Sequence, residues 1–179
     1  MQMSDTREIQ AAPAIVYAAI QDPETLKACI AGATEVTGTP QDGYTATVVQ
    51  KVGPVKATFT GHVTMSDMVE NRSMTLAGEG KGGVAGFAKG AANVVLDPSP
   101  EGGTLLSYEV EAKVGGKLAQ LGNRLIEGFA KKMADQFFAR LKDGLENGSD
   151  VSNPPEAPGG ESSGAAQKKT WLKGLRGQS

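Results

Sequence analysis

The chain has 179 residues, of which 39% are apolar, and it carries one cysteine and a formal net charge of −2. This composition is typical of a soluble globular domain, and no apolar run approaches the ~20 residues that a membrane-spanning helix needs. One cysteine excludes an internal disulfide, and the N-terminus lacks the apolar segment of a secretion signal, so we expect a cytoplasmic protein. The slightly acidic charge balance argues against nucleic-acid binding.

The predicted elements begin with a strand over residues 3–10, followed by a helix that starts at Pro13 and a short helix that Asp22 caps before Pro23. Alternation of apolar and polar residues then continues for about 80 residues, with turn signals at Asp42-Gly43 and Gly53-Pro54. This pattern predicts a meander of about six antiparallel strands with one buried and one solvated face.

The period changes after Gly115-Gly116 from two residues to about 3.6. The apolar residues of this segment fall on one stripe, which comprises Leu118, Leu121, Leu125, Phe129, Met133, Phe137 and Leu141. They predict one long helix over residues 117–145. The expected fold is therefore α+β, with a curved antiparallel sheet wrapped around a long C-terminal helix and two short helices after the first strand.

The stretch GEGKGGVAGFAKG, residues 78–90, contains the spacing G-x-G-x-x-G at Gly78, Gly80 and Gly83. A dinucleotide site needs a helix directly after these glycines, because the helix N-terminus binds the pyrophosphate. The residues that follow alternate like a strand instead, and the lysine and hydroxyl residue of a P-loop are absent. Nucleotide binding is therefore not predicted.

The strand after these glycines places Ala88, Gly90 and Ala92 on its inward side, where a core ordinarily has larger residues. Two explanations are open: the long helix packs very close to the sheet, or a cavity lies between them. In the second case residues 78–86 form a mobile hairpin loop at the mouth of the cavity, and Phe87 acts as its lid.

Catalytic and metal-binding patterns are lacking in the sequence. His62, the one histidine, is expected on the solvated face of a strand, and Cys29 is expected to be a small buried apolar residue. No cluster of cysteine, histidine and aspartate has the spacing of metal ligands. The sequence therefore predicts that the protein is not an enzyme and that it holds no covalently bound cofactor.

Residues 147–167 are rich in Gly, Ser, Pro and Glu and are predicted to form a disordered linker. Four of the 18 basic and three of the 20 acidic residues follow residue 146, so the preceding body has a net charge of −3 and an anionic partner is expected at the tail. Residues 168–179 are predicted to be a basic amphipathic tail that contacts an anionic membrane; the alternatives are a disordered end or a docking peptide for an acidic protein. The predicted membrane-contact residues are Lys168, Lys169, Trp171, Leu172, Lys173, Leu175 and Arg176.

Three segments of residues 1–146 resemble the CoxG-like family, named for the G subunit of carbon monoxide dehydrogenase, within the START-like, or SRPBCC, helix-grip superfamily. They read PAIVYAAIQDPETLKACIAGATEV, GEGKGGVAGFAKGAANVVLDP and TLLSYEVEAKVGGKLAQLGNRLIEGFAKKMADQFFARL. The resemblance implies a domain over residues 1–146 that binds a hydrophobic ligand between sheet and long helix. It also implies an accessory protein that attaches a molybdenum carbon monoxide dehydrogenase, or a related hydroxylase, to the inner face of the cytoplasmic membrane.

These implications lead to the hypothesis that the cavity holds an isoprenoid quinone and couples the dehydrogenase to the respiratory chain. The alternative is a scaffold that anchors or assembles the enzyme and binds no ligand. The expected cavity walls are Leu26, Cys29, Ile30, Phe59, Val63, Phe87, Ala88, Gly90, Ala92, Leu118, Leu121, Leu125 and Phe129.

Overall fold

A computed structural model describes residues 1–147 of the chain. The predicted linker from residue 148 onward and the predicted membrane-contact tail lie outside the described residues. The elements are β1 (Gln2–Ile9), α1 (Pro13–Ile20), α2 (Pro23–Cys29), β2 (Ala33–Thr39), β3 (Gly43–Val52), β4 (Val55–Val69), β5 (Ser73–Lys81), β6 (Phe87–Pro98), β7 (Thr104–Gly115) and α3 (Asn123–Asn147). Two short 3-10 segments, Gly83–Ala85 and Gly116–Leu121, precede β6 and α3.

The seven strands form one sheet in the order β1-β7-β6-β5-β4-β3-β2, and every neighbouring pair is antiparallel. The meander of six strands predicted from the alternation is therefore confirmed. β4 runs to Val69, and its pairing with β5 is irregular between Ser66 and Val69. The predicted α+β fold, with a curved sheet, two short helices and a C-terminal helix, is also confirmed.

The two short helices begin as their sequences predict. Pro13 is the first residue of α1, and Pro23 is the first residue of α2. The Asp22 carboxylate accepts hydrogen bonds from the backbone N–H of Thr25 at 3.1 Å and from its hydroxyl at 2.7 Å. This cap satisfies a backbone donor that the first turn would otherwise leave without a partner.

The long helix begins at Asn123, so the prediction that it starts at residue 117 is wrong. Gly122 has φ +91°, a conformation that breaks an α-helix and favours glycine. The residues before it form the 3-10 segment Gly116–Leu121, which carries Leu118 and Leu121. These two leucines therefore precede the helix instead of lying on it.

Residues Met1–Lys142 form one compact unit, and from Asp143 the chain belongs to a second unit, of which the structure describes only the end of α3. The first unit has two tightly packed regions. One lies where α1 meets β6 and contains Ile9, Val16, Leu96 and Leu106, each with no exposed surface. The other lies at the start of α3.

Candidate ligand-binding site

Small residues meet across the strands on the inward face of the sheet. Gly61 of β4 pairs with Gly80 of β5, and Gly78 of β5 pairs with Gly90 of β6. Together with their alanine neighbours they form what we call the small-residue patch, which comprises Ala46, Gly61, Gly78, Gly80, Ala88, Gly90, Ala92 and Ala112. Because sheet interiors are ordinarily filled by branched or aromatic side chains, the patch leaves volume between the sheet and whatever covers it.

The helix α3 covers this face of the sheet. Near its start, Ile126 packs with Val52 of β3 and Leu118. Further along, the Phe138 ring stacks on Tyr108 of β7 with 5.2 Å between ring centroids. Since β3 and β7 lie on either side of β4, β5 and β6, the helix crosses the strands that carry the small-residue patch.

The residues between these two attachment points are incompletely packed. Phe129, Met133 and Phe137 of α3 remain partly exposed, and so do the inward-facing residues of the small-residue patch. By contrast, Met74 and Leu106, which face inward nearer the α1 end, are at most 2% exposed. The face of the sheet is therefore tightly packed at both ends, whereas the small and apolar residues between them remain accessible to solvent and form a candidate ligand site.

Four of the predicted wall residues lie together at the start of α3. Phe59, Leu121 and Phe129 pack against the cluster that contains Leu118. Val63 belongs to the small-residue patch region, because a methyl group added at Gly78 would lie only 3.0 Å from its Cγ2. The structure thus gathers Phe59, Leu118, Leu121 and Phe129 at one end of the patch, with Val63 beside Gly78 within it.

The predicted wall residues of α2 lie elsewhere. Leu26 and Ile30 are partly buried, and Cys29 is 4% exposed. α2 packs on α1 and β2, and the Arg140 guanidinium donates a hydrogen bond to the carbonyl of Ala28 at 3.5 Å. These residues therefore lie near the C-terminal half of α3, at the other end from Leu118.

Burial raises the pKa of the Cys29 thiol to about 11, and the nearby Arg140 only partly offsets this effect. A thiol with such a pKa is almost entirely protonated at neutral pH and is a poor nucleophile. His62 is exposed on the outer face of β4, which confirms the prediction that it lies on the solvated face of a strand.

The predictions for Phe87 and for the glycine loop are wrong. Strand alternation places Phe87 on the side opposite to Ala88, and its ring covers the position that a side chain at Gly115 would occupy. The ring lies on the outer face of the sheet, so it does not form a lid over the sheet–helix space. Gly78 and Gly80 lie within β5, so the connection between β5 and β6 is shorter than predicted.

Leu125 also differs from its predicted role as a wall residue. Its side chain is 38% exposed and lies against the turn between β3 and β4, where a methyl group added at Gly53 would be 3.3 Å from its Cδ1. The leucine therefore contributes to the surface at the start of α3.

The outer face of the sheet has a depression of about 710 Å³ that the sequence did not predict. Its base contains Ala77 and Ala91, and its rim is charged, with Glu79 opposite both His62 and Lys89 in the strand register. The full lining is Met1, Gln2, His62, Thr64, Ala77, Gly78, Glu79, Lys89, Gly90, Ala91, Glu111, Ala112 and Lys113. The sequence indicates this depression only through the short side chains of Ala77 and Ala91, and alternation assigns both residues to the solvated face of the sheet.

An ion pair joins the sheet to α3 at the far end of the helix crossing. Arg7 of β1 donates a hydrogen bond to Asp135 of α3 at 2.7 Å, and its guanidinium lies 5.1 Å from the centre of the Phe138 ring. The hydrogen bonds from Arg7 and Lys131 lower the pKa of the Asp135 carboxyl. These contacts hold α3 across the strands.

Among residues 1–147, no group of three or more His, Cys, Asp or Glu side chains is arranged to hold a metal ion. Over the same residues, none of the helices combines the length and the apolar character needed to traverse a bilayer.

Solved structures with the same fold come from several bacteria. A conserved protein from Geobacillus kaustophilus is 26% identical over 82% of this chain and 96% of its own, with a TM-score of 0.77. A START superfamily protein from Mycobacterium smegmatis is 15% identical over 82% of this chain and 97% of its own, with a TM-score of 0.62. A protein from Thermus thermophilus is 15% identical over 83% of this chain and 99% of its own, with a TM-score of 0.61. At these last two identities the likeness concerns the fold alone.

No protein of curated function matches the chain. A protein family does match, over residues 6–146, and its description is the G subunit of carbon monoxide dehydrogenase, CoxG. The match spans most of the chain and all of the elements from α1 to the end of the sheet. The chain therefore belongs to the carbon monoxide dehydrogenase CoxG family and has a START-like fold.

Proposed function

We propose that this protein is a non-enzymatic accessory protein that binds a lipophilic small molecule between the sheet and α3. The observation that carries the proposal is the small-residue patch, in which Gly61 faces Gly80 and Gly78 faces Gly90 beneath the helix. Packed regions lie on either side of the patch, and the residues of the patch and of α3 between them are small or apolar. Such a site suits a flat or extended hydrocarbon ligand.

The proposed partner is a molybdenum carbon monoxide dehydrogenase or a related hydroxylase, and membership in the CoxG family supports it. We propose an isoprenoid quinone as the ligand, because a lipophilic electron carrier held by this protein would couple such a dehydrogenase to the respiratory chain in the membrane. The protein would attach to the inner face of the cytoplasmic membrane, with the basic tail over residues 168–176 contributing part of the attachment.

The test is the ligand content of the full-length protein, purified without detergent from its native host and extracted into organic solvent for mass spectrometry. A near-stoichiometric isoprenoid quinone is the expected result, and it would identify the cargo. If the extract is repeatedly empty while the protein still binds anionic vesicles, the quinone-carrier proposal is contradicted and the protein is instead a scaffold that binds no ligand.

A further inference from the structure

The end of the molecule at which α3 begins is built from four separate parts of the chain. These are the β3–β4 turn with the strand ends beside it (residues 51–56), the β5–β6 connection with the strand ends beside it (residues 81–87), the 3-10 segment Gly116–Leu121 and the first turn of α3. The segment Gly83–Ala85 contacts β4 and Gly116–Leu121, and Leu125 lies against Gly53. The four parts therefore form one continuous surface, which we call the basic end.

The basic end carries a concentration of positive charge that the net charge of the body conceals. Its cations are Lys51, Lys56, Lys81, Lys117 and Arg124, and all five are exposed. No aspartate or glutamate occurs in residues 51–56, 81–87 or 116–125, and among the described residues none of the five cations has an ion-pair partner. The nearest acids in sequence are Glu79 and Glu127.

Apolar side chains project from the same surface. Val84 is 85% exposed at the tip of the connection between β5 and β6, and Phe87 and Leu125 are each 38% exposed. Gly83, with φ +63°, and Gly86, with φ +111°, shape the tight connection that presents Val84. A surface that combines unpaired cations with protruding apolar side chains matches the headgroup region of an anionic bilayer.

We propose that the basic end is a second membrane-contact surface, which binds anionic phospholipid and inserts Val84 among the headgroups. The inference rests on the membrane attachment in the proposed function and adds a contact made by the folded body, independent of the tail. A bilayer fits better than an acidic protein because Val84 protrudes from a convex tip, whereas protein interfaces bury such residues in complementary pockets. Contact here would place the start of α3, and the apolar cluster beneath it, against the membrane.

The test uses the full chain with Val84→Cys labelled by an environment-sensitive fluorophore. The native Cys29 does not compete for the label at neutral pH, since it is buried and burial raises its pKa to about 11. The matched control is Glu101→Cys, an exposed position in the turn between β6 and β7 at the opposite end of the sheet. Vesicles with about 30% phosphatidylglycerol should shift the emission of the Val84 probe to the blue and leave the control unchanged.

A charge variant provides a second measurement on the full chain. Lys56→Gln combined with Lys117→Gln should weaken binding to these vesicles roughly 30-fold, since each cation near an anionic surface contributes about a fivefold factor. Lys27→Gln combined with Lys132→Gln removes the same charge from exposed positions elsewhere and should change binding much less.

The outcomes separate this proposal from the proposed function. The proposed membrane contact of the basic end would be contradicted if the protein bound vesicles without a blue shift at Val84 and if the two charge variants had equal effects. Membrane attachment would then be made by the tail alone. A blue shift with purified dehydrogenase but not with vesicles would make the surface a protein interface. A full chain that binds no anionic vesicles would instead contradict the membrane attachment in the proposed function.

Discussion

Gly80 and Gly90 both face the helix, yet their surroundings differ. A methyl group added at Gly80 would have its nearest neighbours, Gly61 Cα and the Thr60 carbonyl oxygen, 4.0 Å away. A methyl group at Gly90 would overlap the Glu111 carbonyl oxygen and lie 3.0 Å from the Ala112 Cα. Gly90 is therefore required by the close approach of β6 and β7, whereas Gly80 only contributes open space.

This difference predicts opposite effects of alanine. Gly80→Ala should leave the free energy of unfolding unchanged or raise it by up to about 1 kcal/mol, because it restricts the unfolded chain without a clash. Gly90→Ala should lower it by roughly 1–3 kcal/mol, because the backbone of two strands must move apart. Urea denaturation of both variants measures the difference, and equal stabilities would contradict the assigned constraint.

Cys29 offers a second prediction for a single residue. Because burial raises the pKa of its thiol to about 11, the native protein should react very slowly with an aromatic disulfide reagent at neutral pH. Addition of denaturant should release one fast-reacting thiol per chain, since the sequence has one cysteine. Rapid stoichiometric reaction of the folded protein would show that α2 does not bury this residue.

At the scale of elements, the boundary of α3 shows what periodicity cannot resolve. Leu118 and Leu121 are three residues apart, and this spacing places them on one side of either an α-helix or a 3-10 helix. The apolar stripe therefore continued through Gly122, although the chain changes conformation there. Asp22, whose capping contact depends only on neighbouring residues, was predicted correctly, as were the strands with strict alternation.

The attachment of α3 to β1 predicts a dependence on pH. The folded state lowers the pKa of Asp135 through its hydrogen bonds to Arg7 and Lys131. A carboxyl with a lowered folded pKa stabilises the fold above its unfolded pKa, and this stabilisation is lost as the pH falls below about 4. In Asp135→Asn this part of the pH dependence should be absent.

Urea midpoints measured between neutral and acidic pH test this expectation. Glu127→Gln is the matched control, because it removes an exposed carboxylate from the same helix. The wild type and the control should approach the stability of Asp135→Asn only at the acid end. Parallel curves for all three proteins would mean that the ion pair does not couple the sheet to the helix.

At the scale of the whole molecule, alternation predicted that Ala88, Gly90 and Ala92 face inward, but it could not predict which residues of the adjacent strands lie beside them. The patch becomes apparent only when the strand register sets Gly61 against Gly80, and no local pattern contains that register. The net charge of −3 on residues 1–146 likewise led us to expect no anion-attracting surface on the body. The cations of the basic end come from four distant segments, so their proximity is a property of the fold.

The proposed ligand site lies above the small-residue patch. It is tested most directly by the affinity of the full-length protein for a short-chain isoprenoid quinone, measured in parallel for Gly80→Leu and Ala91→Leu. The Cβ of a leucine at position 80 has no neighbour closer than 4.0 Å and directs the side chain towards α3, whereas leucine at position 91 lies in the depression on the outer face.

We predict that Gly80→Leu folds, keeps its affinity for anionic vesicles and binds the quinone at least about tenfold more weakly, since overpacking an occupied site costs on the order of 1–3 kcal/mol. Ala91→Leu should bind the quinone as the wild type does. Full affinity in Gly80→Leu, or a loss confined to Ala91→Leu, would contradict a ligand site between the sheet and α3.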